Sequence, residues 1–171
     1  MSLPHDPRWP RAGAWLASAA SEPRLVVLGV PAHRTSISTT NADRTPAAIR
    51  EALARYSTFS IEQGRDVAEL PVLDAGDVAD PDFDEGEHRV REAVAALPHC
   101  DLLLALGGDN SITYSVLAAM LGADLPRAGL ITLDAHFDLR DGVSNGSPVR
   151  RLVEAGLPGD RVVQIGIRSE E

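Results

Sequence analysis

The stretch Ala128–Asp141, AGLITLDAHFDLRD, decides how the chain reads. Its first six residues form a short apolar run, as a buried parallel strand requires. The residues that follow put Asp134, His136 and Asp138 at alternate positions. In extended backbone, side chains two apart share a face, so two carboxylates and an imidazole are expected to converge at the strand's carboxyl end. That donor set suits a divalent cation. Alternate Cα atoms lie about 6–7 Å apart, too far for three residues to chelate one ion snugly. They suit two ions about 3.5–4 Å apart with a shared ligand. The competing reading is polar punctuation at a strand end, which three ionisable residues in five argue against.

A second polar strand end lies one helix earlier. DLLLAL (Asp101–Leu106) is an apolar strand that runs into Gly107-Gly108-Asp109-Asn110-Ser111 and then a helix over 112–121. Two glycines at a strand-to-helix turn permit close backbone approach. Asp109, Asn110 and Ser111 are candidate caps, and the helix start favours a polar or anionic ligand.

Further strands are predicted at Arg24–Val30 (RLVVLGV), Val67–Leu73 and Arg161–Ile167 (RVVQIGI). Helices are predicted from Thr45, as N-cap ahead of Pro46, to about Tyr56, from Glu85 to Leu97, and after Ser147-Pro148 up to Gly156. The polar loop Pro31–Asp43 follows a strand end, where open α/β sheets bind ligands. His33 there reads as a surface or hydrogen-bonded residue. The acidic segment DAGDVADPDFDEGEH lacks the register of a calcium loop and reads as a solvated loop. Alternating strands and helices give an α/β class with a mostly parallel sheet. Residues 1–23, with Trp9 and Trp15, read as an N-terminal arm, and 24–171 as one domain.

The chain has 171 residues and a formal net charge of -9, which argues against nucleic acid or an anionic membrane as partner. No apolar run is long enough to span a bilayer, and MSLPHDPRW has no signal-peptide core. Cys100 is the single cysteine, which excludes an internal disulfide or thiolate cluster and fits a reducing cytoplasm. All 16 basic residues other than histidine are Arg. Without lysine, Schiff-base chemistry and the phosphate-loop G-x-x-x-x-G-K are excluded.

GGDNS followed by DAHFD, each behind a strand, resembles the ureohydrolase superfamily of arginase, agmatinase and formimidoylglutamase. GGDNSIT and SNGSPVRRL look most like formimidoylglutamase. The resemblance runs from about Arg24 to Arg168. It implies a three-layer α/β/α fold, two manganese ions, and hydrolysis of a linear amidine or guanidine C–N bond, with N-formimino-L-glutamate giving glutamate and formamide. It further implies metal ligation by Asp134, His136, Asp138 and Asn110, with Asp134 shared between the ions. Asp138 would return a proton to the leaving nitrogen, Asp109 would support the site, and Asn145 and Gly146 would line the substrate pocket. Arg140 is a candidate anchor for a substrate carboxylate, whereas Arg168 reads as a surface ion pair. A cytoplasmic homotrimer or hexamer is implied as well.

The pattern departs from the family in three places. Asn110 stands where many members have a ligating His. Asn145-Gly146 stands where some have His-Gly. The family's S-x-D-x-D ligands would lie beyond Glu171, so the chain is expected to be the N-terminal part of such a protein. The alternatives are an agmatinase-like or arginase-like guanidino hydrolase, or a catalytically degenerate subunit. A metallophosphoesterase expects D-x-H before G-D and then G-N-H, an order absent here.

Overall fold

The computed structural model describes residues 9–168. Its central strand, β1 (Leu25–Val30), is buried along its whole length. Two neighbours pair with it in parallel: β4 (Val72–Asp77) on one side and β5 (Leu102–Gly107) on the other. A continuous apolar run is what such a position demands, because helices cover both faces.

The faces follow the two-residue period of β1. Leu25 and Val27 join Val72, Leu106 and Leu16, with Trp15 and Leu53 packed against them. This layer holds helix α1 (Ala12–Leu16) and helix α2 (Thr45–Leu53). Leu28 and Val30 point the other way, to Val78, Val90 and Val116. That layer holds α3 (Phe83–Ala95) and α4 (Ile112–Leu121). The result is the expected α/β/α sandwich.

A second parallel pair, β6 (Leu130–Leu133) and β7 (Val162–Ile165), carries the DAHFD segment. Leu130 and Val162 pack under α5 (Pro148–Glu154) and α4 through Leu125, Val149, Leu152 and Leu157. Its other face presents Ile131, Leu133, Val163 and Ile165, and Leu133 is 83% exposed. A short antiparallel hairpin, β2 (Phe59–Ser60) with β3 (Arg65–Asp66), precedes β4.

Several sequence expectations need correction. The strand placed at Val67–Leu73 begins only at Val72; Val67–Glu69 is a 3-10 turn whose Ala68 N–H is held by Asp66. The acidic segment is not a solvated loop throughout. Its first residues complete β4, because Arg50 on α2 donates to both Asp74 oxygens at 2.7 and 2.8 Å and to Asp77 at 2.6 Å. That contact holds the Asp74 carboxyl below its usual range and raises the Arg50 guanidinium. Asp82, buried, accepts the N–H groups of His33 and Arg34. Thr45 is not a cap: a 3-10 turn at Ala42–Arg44 leads directly into α2.

Of the expected N-terminal arm, residues 1–8 lie outside the described part. Trp15 is fixed on the body by its indole N–H to Leu70 O at 2.8 Å, while Trp9 is exposed. Among the described residues no helix is long and apolar enough to cross a membrane.

Candidate metal centre

The GGDN turn sits against the end of β1 because Gly108 has no side chain. A Cβ there would lie 2.5 Å from Val30 O and 2.6 Å from Ala32 N and O. The approach lets Asp109 N–H donate to Ala32 O at 2.8 Å. The buried Asp109 carboxylate then accepts the Ser36 and Ser111 hydroxyls and the Ser111 N–H. It ties the 31–41 loop to the turn, a supporting role, and does not line the cleft described next.

Asn110 faces the other way. Its Nδ2 donates to Asp138 Oδ2 at 2.6 Å, and its Oδ1 accepts from Thr113 Oγ1 at 2.8 Å. The amide nitrogen, rather than the oxygen, is turned toward Asp138.

The DAHFD segment is not a continuation of β6. The strand stops at Leu133, although Asp134 N–H still reaches Ile165 O at 3.0 Å. Asp134 Oδ1 then accepts the His136 N–H at 2.9 Å and bends the chain as an Asx turn does. The same oxygen lies 3.2 Å from His136 Nδ1. Asp138 adopts φ 57°, the left-handed region that Asp tolerates better than most residues. Its side chain is buried, with 3% exposure. Alternation in an extended strand is therefore not what gathers these residues; a bend and a left-handed residue do so.

Seven of the residues singled out in the sequence border one cleft of about 250 Å³: Asn110, Asp134, His136, Asp138, Arg140, Asn145 and Gly146. Ile37 and Ser38 complete its wall. The sequence located their loop at a strand end but did not single them out, because their types carry no chemistry. Asn145 links the two walls: its N–H donates to Thr35 O at 3.4 Å and its Oδ1 accepts from Ile37 N–H at 3.2 Å. Gly146 leaves room for Arg140, whose Cδ would stand 2.9 Å from a Cβ there. Arg168 donates its N–H to Ala135 O and stays outside the cleft lining. His33 is bound through its N–H to Asp82 and is likewise outside it.

The donor types fit a hard or borderline divalent cation: carboxylates of Asp134 and Asp138, one imidazole and one amide. Asn110 is hydrogen-bonded to Asp138, and Asp134 to His136. Among the described residues no three His, Cys, Asp or Glu side chains group closely enough to hold an ion. The cleft thus gathers donor types that suit such a cation without grouping them into an ion site.

Residues 23–171 match the profile of the Arginase family. The chain belongs to the arginase family. Among curated arginase-family relatives, it is 37% identical over 152 residues to the formimidoylglutamase of Halalkalibacterium halodurans, covering 83% of this chain and 47% of that protein. It is 36% identical to the Halobacterium salinarum formimidoylglutamase, covering 90% of this chain and 51% of that protein. The crystal structure of Bacillus subtilis formimidoylglutamase superposes with a TM-score of 0.86 at 32% identity, over 98% of this chain and 56% of that one. Trypanosoma cruzi formiminoglutamase, solved with Mn2+, superposes at 0.83 with 27% identity, over 94% of this chain and 58% of that one. This arginase-family chain therefore spans about half the length of the relatives it matches.

Proposed function

We propose that this chain forms one half of a metal-dependent hydrolase of linear amidines, with N-formimino-L-glutamate as substrate and glutamate and formamide as products. The observation that carries the proposal is the cleft itself: one opening is bordered by Asn110, Asp134, His136 and Asp138 together with Arg140. Likeness to formimidoylglutamases of three organisms supports the choice of substrate. Agmatinases match at 30% identity or a little lower, which makes a guanidino substrate the second reading.

The other half is a further segment that supplies the remaining ligands and covers the apolar face of β6 and β7. The exposed Ile131, Leu133, Val163 and Ile165 support this, because parallel strands are stable when buried on both faces. The completed protein would be a cytoplasmic homotrimer or hexamer.

Asp134, His136, Asp138 and Asn110 would hold a pair of Mn2+ ions, which supply, when bound, activation of water near neutral pH. The residues of the chain account for the remaining requirements. The oxygen of water bonds to the formimino carbon, the C–N bond to the glutamate nitrogen breaks, and that nitrogen takes up a proton. Asp138 carries the proton to it. Its carboxylate is aimed into the cleft by the Asn110 amide. Arg140, at the rim over Gly146, pairs with a substrate carboxylate in a charge-assisted contact. Asn145 holds the two cleft walls at a fixed separation.

The test is product analysis in the completed protein with N-formimino-L-glutamate and agmatine side by side. Release of formamide with manganese, and little urea from agmatine, supports the assignment; the reverse preference replaces it with a guanidino hydrolase.

A further inference from the structure

The Asp138 carbonyl is bound by a residue that does not line the cleft. Arg150, in the first turn of α5, donates its backbone N–H to Asp138 O at 3.2 Å. Its guanidinium donates through Nε to Arg140 O at 2.6 Å and through Nη2 to Gly142 O at 2.7 Å. The remaining nitrogen, Nη1, donates to Glu154 Oε1 and Oε2 at 2.6 and 2.7 Å. One side chain thus gathers the carbonyls that follow Asp138, and Glu154, one turn along the helix, fixes the fork.

The loop has a reason to need such a hold. Asp138 sits at φ 57° and Gly142 at φ 79°. A non-glycine residue in the left-handed region persists when its surroundings over-determine it. Here the carbonyls of residues 138, 140 and 142 are all taken by Arg150, and Arg140 N–H closes on Gly146 O at 3.0 Å. The Arg150 side chain is 22% exposed and that of Glu154 61%. A Lys cannot reproduce the planar fork.

We propose that Arg150, oriented by Glu154, is a positioning residue that sets the Asp138 carboxylate and the Arg140 side chain in the cleft. It does not line the cleft. The proposal rests on Asp138 serving metal binding and proton transfer, as argued above.

The test compares Arg150→Ala, Arg150→Lys, Glu154→Gln and Asp138→Asn in the completed protein. Free Mn2+ is measured by electron paramagnetic resonance, and kcat and KM are measured alongside thermal unfolding. Orienting partners of metal ligands are worth about 10–100-fold in affinity. Arg150→Ala should weaken Mn2+ binding by about tenfold or more and lower kcat, with added guanidinium at sub-denaturing concentration restoring part of both. Glu154→Gln should show a smaller loss of the same kind. Should Arg150→Ala fail to fold, Arg150→Lys carries the comparison. Unchanged Mn2+ affinity and kcat in a folded Arg150 variant, with Asp138→Asn impaired, overturns the role of Arg150. Asp138→Asn behaving as wild type instead overturns the reading of the site.

Discussion

Asn110 Nδ2 lies 2.6 Å from Asp138 Oδ2, so the GGDN turn and the DAHFD bend, 28 residues apart in the chain, meet in one hydrogen bond. It brings a strand end of the three-stranded sheet to a strand end of the separate β6–β7 pair.

The contact makes Asn110 a sensitive position. An imidazole is a stronger ligand for a borderline cation than an amide. Asn110→His in the completed protein should tighten Mn2+ binding by about tenfold, or ~1.4 kcal/mol. Competition with a fluorescent chelator would measure it. Unchanged affinity would confine Asn110 to its bonds with Asp138 and Thr113.

Arg151 should matter for stability more than for chemistry. Burial opposes its charge, yet the bidentate bonds to Glu87 at 2.6 and 2.9 Å raise its pKa, and its guanidinium stacks 3.6 Å from the Tyr114 ring. The cluster ties α3, α4 and α5 together. Arg151→Met strands a buried carboxylate and should cost about 3 kcal/mol. Urea unfolding would show a lower midpoint. The double variant with Glu87→Leu should regain much of the loss.

The Arg50 contact carries a pH signature. The Asp74 carboxyl is held below its ordinary range by Arg50, so its contribution is present above the unfolded value, near 3.9, and is lost as pH falls through the folded one. Arg50→Met should therefore destabilise by about 1–3 kcal/mol at neutral pH. The gap to wild type should narrow progressively below about pH 4. A gap that stays constant down to pH 2 would contradict the assignment.

Gly146 tests the substrate side of the cleft. A Cβ there meets Arg140 Cδ at 2.9 Å and Ile37 Cδ1 at 3.3 Å, both on side chains able to move. Gly146→Ala should leave unfolding nearly unchanged and displace Arg140 from the rim. KM for a carboxylate-bearing substrate should rise about tenfold, the worth of one charge-assisted bond. An unaltered KM would remove Arg140 from substrate binding.

Much of this was legible in the residues. The apolar runs at 25–30, 102–107 and 130–133 marked the strands; only the first is buried along its whole length, while the other two each leave alternate residues exposed. The candidate ligands and pocket residues were legible as types, and they border the same cleft, with Asp109 behind it. How they converge was not. Strand alternation predicts one shared face for Asp134, His136 and Asp138, whereas an Asx turn and a left-handed residue bend the segment. Tertiary contacts also overrode local composition at β4, where Arg50 from another element neutralises Asp74 and Asp77. The hairpin at Phe59–Asp66 escaped notice because each strand is two residues long. Arg150 was hidden for a different reason: its bonds go to carbonyl groups, which every residue has.

Asp134 is the proposed shared ligand of the metal pair, and counting manganese tests that role most directly. Bound Mn2+ per folded chain would be determined in the completed protein for wild type and Asp134→Ala. A pair of ions in the wild type, falling to one or none in the variant while the fold is retained, is the expected result. Full manganese occupancy in Asp134→Ala would contradict the account.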